Sequence, residues 1–173
     1  HRLAIMDTSF KSNQPFVFQE KDKTIVFICN GEIYNFKQLI VDHDLDIDTN
    51  SDCMTIPKLF LKYSEEKWMK LFEREIKGEF SFVLMEFDHL KSLRKVNAGR
   101  DMIGIRPMYY HHPSPESKQL IFTSEIKGAK HFDNSVREFP PGNILKFELM
   151  ELGGFELTSK QFDWVYDVVE SKD

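Results

Sequence analysis

The stretch Thr24–Asn35, with the sequence TIVFICNGEIYN, decides how the rest of the chain is read. Its first five residues are β-branched or aromatic, and they predict a strand over Thr24–Cys29 that is buried on both faces. The pair Asn30-Gly31 predicts that this strand breaks there, because glycine adopts backbone angles that other residues avoid. A helix is predicted to follow, with Asn35 as its N-cap.

The Asn30-Gly31 pair is also a candidate for chemistry. An amide side chain and a backbone N–H that point at the same place form an oxyanion hole, which stabilises negative charge on a carbonyl oxygen. An isolated Asn-Gly is far more often a simple turn. The functional interpretation therefore depends on the motifs that accompany this pair.

Composition predicts one folded domain, since the chain has 173 residues, of which 41% are hydrophobic and 13% aromatic. The net charge is −5 and charges of both signs are interspersed, so we expect neither nucleic acid nor a membrane as a partner. No apolar run approaches the roughly 18 residues of a membrane helix, and we expect a cytoplasmic location. Cys29 and Cys53 are too few for a disulfide framework or a zinc site and are predicted to be reduced, buried thiols.

The apolar run Leu3–Met6 follows His1 directly, so we expect a processed chain or a fragment of a longer protein. Further along, a helix is predicted from Ser51-Asp52, whose side chains can cap it, with a kink or a late start at Pro57. A third helix is predicted from Ser64 to Gly78, with apolar residues at helical spacing. From Glu79 the apolar period becomes two, which indicates a strand. Further strands are predicted over residues 3–6, 95–99, 108–111, 120–123 and 143–149. Many strands with few helices predict an α+β fold with stacked sheets.

Eight motifs occur in an order that resembles the glutaminase domain of glutamine-hydrolysing asparagine synthetases, a class II glutamine amidotransferase domain. They are HRLAIMD (1–7), QP (14–15), NGEIYN (30–35), SDC (51–53), GEFSF (78–82), GRD with GIRPMY (99–109), SEIK (124–127) and FPPG (139–142). The resemblance covers residues 1 to about 147. It implies a partial amidotransferase type 2 domain over residues 1–150. Residues 151–173 are then a tail or the start of a linker to an absent synthetase domain.

The resemblance implies an N-terminal-nucleophile hydrolase fold, αββα, in which two stacked, mainly antiparallel sheets lie between helices. It also implies hydrolysis of the glutamine amide by an N-terminal cysteine whose own α-amino group is the base. We expect that cysteine to lie before His1, since neither Cys29 nor Cys53 has a free α-amine. No cofactor is expected in this chain, because no glycine-rich phosphate loop occurs in it. ATP and magnesium would belong to the synthetase domain of the parent.

Residue by residue, the resemblance implies four substrate-binding positions, Arg2, Leu3, Glu32 and Asp52, and two oxyanion donors, Asn30 and Gly31. Arg2 would hold the α-carboxylate of glutamine, because a guanidinium forms a bidentate pair with a planar anion. Asp52, with Glu32 beside it, would hold the α-ammonium. Without the resemblance, Arg2 would be read as a terminal surface residue and Asp52 as a helix cap.

The leading hypothesis is a glutamine-binding fragment of an asparagine synthetase that makes asparagine from aspartate, glutamine and ATP. Its partners would be glutamine and the synthetase domain of the parent, and a homodimer is compatible with it. Two alternatives remain open. One is the glutaminase module of another amidotransferase. The other is a non-catalytic glutamine-binding or interaction domain that has lost its nucleophile.

Overall fold

The computed structural model describes residues 12–112, 119–150 and 154–161. The strands, in chain order, are β1 (Phe16–Gln19), β2 (Lys23–Ile33), β3 (Gly78–Asp88), β4 (Leu93–Arg100), β5 (Tyr109–His111), β6 (Ile121–Thr123), β7 (Val136–Glu138), β8 (Asn143–Leu149) and β9 (Phe155–Gln161). The α-helices are α1 (Phe36–Asp42), α2 (Thr55–Lys62) and α3 (Glu65–Arg74). Two 3-10 helices, Asp52–Met54 and Ile126–Ser135, complete the described elements.

The strands form two antiparallel sheets. The larger has six strands in the order β1-β2-β3-β4-β8-β9, and the smaller has three in the order β6-β5-β7. The longest pairing joins β2 to β3 over eleven residues, from Lys23 opposite Asp88 to Ile33 opposite Gly78. β1 pairs with β2 only as far as Phe27, so from Ile28 to Ile33 no described strand pairs with the edge of β2 that faces away from β3.

One face of the larger sheet packs against the helices. Trp68 and Phe72 of α3 are fully buried and lie against Phe82 of β3, with ring centroids 5.9 and 5.3 Å away. The indole N–H of Trp68 donates to the carbonyl of Ile56 at 3.2 Å, so this buried donor has an acceptor. The predicted apolar faces of the third helix and of the strand after Glu79 are thereby confirmed.

The opposite face of the larger sheet packs against the smaller sheet. Val83 of β3 and Phe147 of β8 are buried there, together with Phe139, which precedes the turn before β8. Tyr110 of β5 meets Phe139 edge-on, with centroids 5.6 Å apart. The chain therefore has helices on one face of a large antiparallel sheet and a small antiparallel sheet on the other, and the predicted α+β fold with stacked sheets is confirmed.

The predicted strand break at Asn30-Gly31 is wrong, because β2 continues to Ile33. Gly31 has φ 148°, and a Cβ there would lie 2.0 Å from the carbonyl oxygen of Glu79 on β3. A Cβ at Gly78 would likewise lie 2.3 Å from the carbonyl oxygen of Glu32. The two glycines let β2 and β3 approach closely, so they extend the ladder instead of ending an element.

Gly78 consequently does not stop the third helix, which ends at Arg74, four residues earlier. Asn35 does occupy the N-cap position of α1, but its side chain makes no cap bond. Instead its Nδ2 donates to the carbonyl of Glu75 at 2.7 Å, and its Oδ1 accepts the N–H of Lys77 at 2.9 Å. Asn35 therefore ties the start of α1 to the connection between α3 and β3.

Pro57 produces the late start that was one of two predicted outcomes. The chain from Asp52 to Met54 is a 3-10 helix, and α2 begins only at Thr55, so Pro57 lies within its first turn, where no helical N–H partner is required. Ser64 caps α3 as predicted, since its hydroxyl accepts the N–H of Lys67 at 3.4 Å.

The prediction that β2 is buried on both faces is wrong, because Ile28 is 40% exposed and lines a cavity.

Residues 155–161, part of the predicted tail, form β9 and pair along the whole of β8. The strand predicted over residues 3–6 lies outside the described residues. So do Arg2 and Leu3. Within the part of the chain that the structure describes, no helix combines the length and apolar character that crossing a membrane requires.

Candidate functional site

The site is built on the edge of β2 that faces away from β3. In an antiparallel pair, every second residue directs its N–H and C=O away from the partner strand. Phe80 lies opposite Gly31, and both of its backbone groups are hydrogen-bonded to Asp101. Its carbonyl accepts the Asp101 N–H at 2.8 Å, and its N–H donates to the Asp101 carboxylate at 3.2 Å. Gly31 therefore points its own groups outward, as do Cys29 and Ile33 in the same register.

Three neighbouring side chains occupy most of this edge. The side chain of Gln14 bonds both backbone groups of Cys29, at 2.6 and 2.9 Å. The thiol of Cys53 donates to the carbonyl of Gly31 at 3.5 Å, and the carboxylate of Asp52 accepts the N–H of Ile33 at 2.6 Å. Of the outward-facing N–H groups of Cys29, Gly31 and Ile33, that of Gly31 has no acceptor among the described residues. It is thus available to a ligand.

Asn30 lies beside this donor. Its side chain is exposed and has no hydrogen-bond partner among residues 12–112, 119–150 and 154–161. The amide of Asn30 and the N–H of Gly31 are therefore adjacent in the chain, unused and open to one cavity. Two such donors can bind a carbonyl oxygen and stabilise the negative charge that develops on it.

Asp52 is brought to the same place by the 3-10 helix that it opens. The side chain is 5% exposed, and only one of its oxygens is bound, since no donor in the described part of the chain contacts Oδ1. The expectation that Asp52 or Ser51 caps the helix is wrong, because neither side chain makes a cap bond. Asp52 instead offers its second carboxylate oxygen at the cavity that it lines together with Gly31.

A second acidic group lies on β2. Glu32 and Glu79 are directly opposite each other on β2 and β3, an arrangement in which like charges repel. Arg106 forms an ion pair with Glu79, so that carboxylate is neutralised. Glu32 has no cationic partner among the described residues. Glu32 and Asp52 together form an acidic side of the cavity that suits an ammonium group.

Arg106 is held in place by a tightly bonded corner. Asp101 is 2% exposed, and its carboxylate accepts five backbone N–H groups, those of Phe80, Ile103, Gly104, Ile105 and Arg106, at 2.7 to 3.2 Å. The buried guanidinium of Arg100 donates to the carbonyls of Gly104, Arg106 and Phe139 at 2.7 to 2.8 Å. The Nε of Arg106 is buried and has no acceptor among the described residues.

The two cysteines are both free and line the same cavity, Cys53 buried and Cys29 half-buried. Hydrogen bonding with the Cys53 thiol, together with burial, raises the pKa of the Cys29 thiol well above its ordinary value. Because the thiolate is the nucleophilic form, Cys29 is a poor nucleophile at neutral pH. Both thiols are free, as predicted, but Cys29 is only half-buried.

The cavity has a volume of about 840 Å³ and is lined by Asn30, Gly31, Glu32 and Asp52. Asp52 reaches this cavity although it follows Glu32 by twenty residues in the sequence. Four of the six predicted site residues therefore lie around one cavity, and the other two, Arg2 and Leu3, lie outside the described residues. Gln14 and Arg106 also line it and were given no role by the sequence. Both belong to the motifs that carry the resemblance, and this membership was the signal that could have found them.

The described residues contain no cluster of three or more His, Cys, Asp or Glu that could hold a metal.

A family profile described as a glutamine amidotransferase domain matches residues 1–131. The chain belongs to this family. Its amide donors, its acidic groups and the cavity that they line thus lie in a glutamine amidotransferase domain.

Asparagine synthetases are among the similar sequences. A probable glutamine-hydrolysing asparagine synthetase from Acanthamoeba polyphaga mimivirus is 33% identical over 149 residues, which are 86% of this chain and 25% of that protein. Glutamine-hydrolysing asparagine synthetase 2 of Bacillus subtilis (strain 168) is 37% identical over 139 residues, 80% of this chain and 17% of that protein. The enzyme of Zea mays is 36% identical over 146 residues, 83% of this chain and 22% of the enzyme. The chain spans about a quarter or less of the length of these relatives.

Two solved structures share the fold of this amidotransferase domain. An allosteric regulatory enzyme of purine biosynthesis superposes with a TM-score of 0.69 at 19% identity, over 89% of this chain and 32% of that one. The glutamine phosphoribosylpyrophosphate amidotransferase of B. subtilis, complexed with ADP and GMP, gives 0.67 at 19% identity, over 90% of this chain and 33% of that one. These two likenesses confirm the predicted fold class, and at 19% identity they show the fold alone.

Proposed function

We propose that this domain binds free glutamine and supports its hydrolysis to glutamate and ammonia within a glutamine-hydrolysing asparagine synthetase. In that protein the ammonia would be used, with ATP, to convert aspartate to asparagine. The observation that carries the proposal is that the N–H of Gly31 and the adjacent amide of Asn30 line one cavity and have no partner among the described residues. The choice of aspartate as acceptor follows from the asparagine synthetases among the similar proteins.

Each end of glutamine has a complementary group in this cavity. Asn30 and Gly31 would receive the side-chain carbonyl oxygen, and their hydrogen bonds would strengthen as that oxygen becomes negative. Asp52, through its unbonded Oδ1, and Glu32 would receive the α-ammonium. Arg2, and Leu3 beside it, would hold the α-carboxylate end. We further propose an N-terminal cysteine upstream of His1 as nucleophile, ATP and magnesium in the synthetase domain, and a cytoplasmic location.

The experiment separates glutamine use from ammonia use in the protein expressed from its complete reading frame. Asn30→Ala should reduce glutamine-dependent asparagine formation by at least about a hundredfold, the usual effect of losing an oxyanion donor. Formation with ammonium chloride as the nitrogen source should be unchanged, because ammonium bypasses the glutamine site. Equal activity of Asn30→Ala and the unaltered protein with glutamine would overturn the proposal.

One alternative is favoured by a specific observation. Cys29 has a raised pKa and Cys53 donates to the carbonyl of Gly31, so neither thiol within the described residues is set up as a nucleophile. A domain that binds glutamine without cleaving it is therefore the second candidate. Glutamine binding by the complete protein with no release of ammonia would favour this candidate over the first.

A further inference from the structure

The side chain of Gln14 continues the hydrogen bonding along the edge of β2 beyond the end of β1. The backbone pairing between β1 and β2 ends at Phe16 opposite Phe27, two residues before Cys29. From there, the Nε2 of Gln14 donates to the carbonyl of Cys29 at 2.9 Å, and its Oε1 accepts the N–H of Cys29 at 2.6 Å. A primary amide carries a donor and an acceptor side by side, as a peptide group does, so one side chain substitutes for a strand residue.

This pairing fixes the residue that precedes the candidate oxyanion donors. With both backbone groups of Cys29 bonded, the peptide planes on either side of it are held, and these planes set the direction of the Cα–Cβ bond of Asn30. The next outward-facing N–H along the edge is that of Gly31. Gln14 also lines the cavity itself, together with Asn30 and Gly31.

We propose that Gln14 is a positioning residue of the glutamine site, which holds the end of β2 so that Asn30 and Gly31 direct their N–H groups at one ligand oxygen. The inference rests on the proposed function, because it assigns Gln14 an effect on the amide end of glutamine. Only a side chain with both a donor and an acceptor at this distance satisfies Cys29. Glutamate would set a carboxylate oxygen against the Cys29 carbonyl, and asparagine is one methylene shorter.

A merely structural role has a different signature from a positioning role. If Gln14 only stabilises the edge of the sheet, its loss weakens every ligand of the cavity alike. If it aims the oxyanion donors, its loss weakens ligands that carry a side-chain carbonyl and spares those that lack one. L-Norleucine provides this comparison, since its side chain extends as far as that of glutamine and carries no amide.

The test is a pair of titrations, one with L-glutamine and one with L-norleucine, each monitored by ¹⁵N–¹H correlation spectra. Gln14→Met keeps the length of the side chain and removes its amide, and Gln14→Glu is a second variant that keeps only the acceptor. Gln19→Ala is the matched control, because Gln19 lies at the far end of β1 and its side chain accepts a hydrogen bond from the Thr24 hydroxyl at 3.3 Å. Both Gln14 variants should weaken glutamine binding about tenfold, the effect of about one hydrogen bond. They should weaken norleucine binding less than about twofold, and Gln19→Ala should change neither.

Equal weakening of both ligands, or unchanged glutamine affinity in a folded Gln14 variant, would overturn the positioning role while leaving the proposed function intact. Failure of the unaltered protein to bind glutamine would overturn the proposed function, and the positioning role with it. The two failures are therefore told apart by the titration of the unaltered protein.

Discussion

The carboxylate of Asp52 accepts the backbone N–H of Ile33 at 2.6 Å. This bond joins the start of the 3-10 helix to the end of β2, two residues beyond Gly31. It places an acidic group beside the outer edge of β2 through one carboxylate oxygen, and the other oxygen has no donor among residues 12–112, 119–150 and 154–161. We propose that the second oxygen receives a ligand cation.

Replacing Asp52 by asparagine should separate these two roles. The amide oxygen of Asn can still accept the N–H of Ile33, so stability should change by less than about 1 kcal/mol. The charge is lost, so calorimetric titration should show glutamine affinity reduced by at least about tenfold. Asp46→Asn, at an exposed aspartate of the preceding loop, is the control and should bind as the unaltered protein does. A folded Asp52→Asn variant with full affinity would remove Asp52 from the binding site.

Cys29 should react slowly with alkylating reagents. Its pKa is raised by hydrogen bonding with Cys53 and by burial, so only a small fraction is thiolate near neutral pH. Mass spectrometry after iodoacetamide treatment should show Cys29 labelled much more slowly in the folded protein than in urea. The folded rate should still be rising at pH values where an ordinary thiol has levelled off. A folded-state rate equal to that of the unfolded chain would contradict this account.

An ion-pair cluster ties α3 to the sheet and should make stability depend on acid pH. Burial opposes the charge of Glu65, but hydrogen bonds from Lys146 and Lys95, at 2.8 and 2.7 Å, outweigh it and hold the pKa of Glu65 below its ordinary value. Because the folded pKa lies below the unfolded value of about 4.3, the stabilisation is present above that pH and is lost as the pH falls through the folded pKa.

Glu65→Gln should therefore be about 1 kcal/mol less stable than the unaltered protein at pH 7, and the difference should shrink toward zero near pH 2. Urea unfolding at the two pH values measures it. Glu66→Gln, the adjacent and mainly exposed position paired with Lys70, is the control and should change stability by less than about 0.5 kcal/mol. A Glu65→Gln deficit that persists at low pH would show that packing, and not charge, is responsible.

Asp101→Asn should be strongly destabilising, because the carboxylate accepts five backbone N–H groups. The introduced NH₂ would face donors instead of an acceptor, and a loss of about 2 to 4 kcal/mol is expected. Thermal or urea unfolding gives the value. Asp42→Asn, at an exposed residue with one side-chain partner, is a matched control. A change below about 0.5 kcal/mol at Asp101 would mean that the corner is not organised by this carboxylate.

The sequence was sufficient for elements whose pattern is local. The helical spacing of Trp68 and Phe72 and the alternation that begins at Phe80 predict α3 and β3, because both are read within a dozen residues. The glycines misled for the opposite reason. Gly31 and Gly78 look like breaks, but each is required by a backbone on the neighbouring strand, about fifty residues away in sequence. No local pattern distinguishes a glycine that ends an element from one that allows two strands to approach.

The same limit applies to the site. The chemistry of Asn30 and Gly31 made them candidates that the resemblance then supported, whereas Asp52 and Glu32 came only from the resemblance, since nothing local links Asp52 to a strand nineteen residues before it. Gln14 and Arg106 were quoted as parts of motifs and given no role. Their partners, Cys29 and Glu79, are fifteen and twenty-seven residues away, and such pairings exist only after the sheet has formed.

The central claim is that Asn30 and Gly31 bind the amide oxygen of glutamine, and it is tested most directly by titrating L-glutamine into ¹⁵N-labelled protein. We expect the side-chain amide of Asn30 and the backbone amide of Gly31 to shift progressively and to yield one common dissociation constant. L-Norleucine, which lacks the amide, should leave both signals nearly unmoved. Saturable glutamine binding that perturbs neither signal, or no binding at all, would contradict the account.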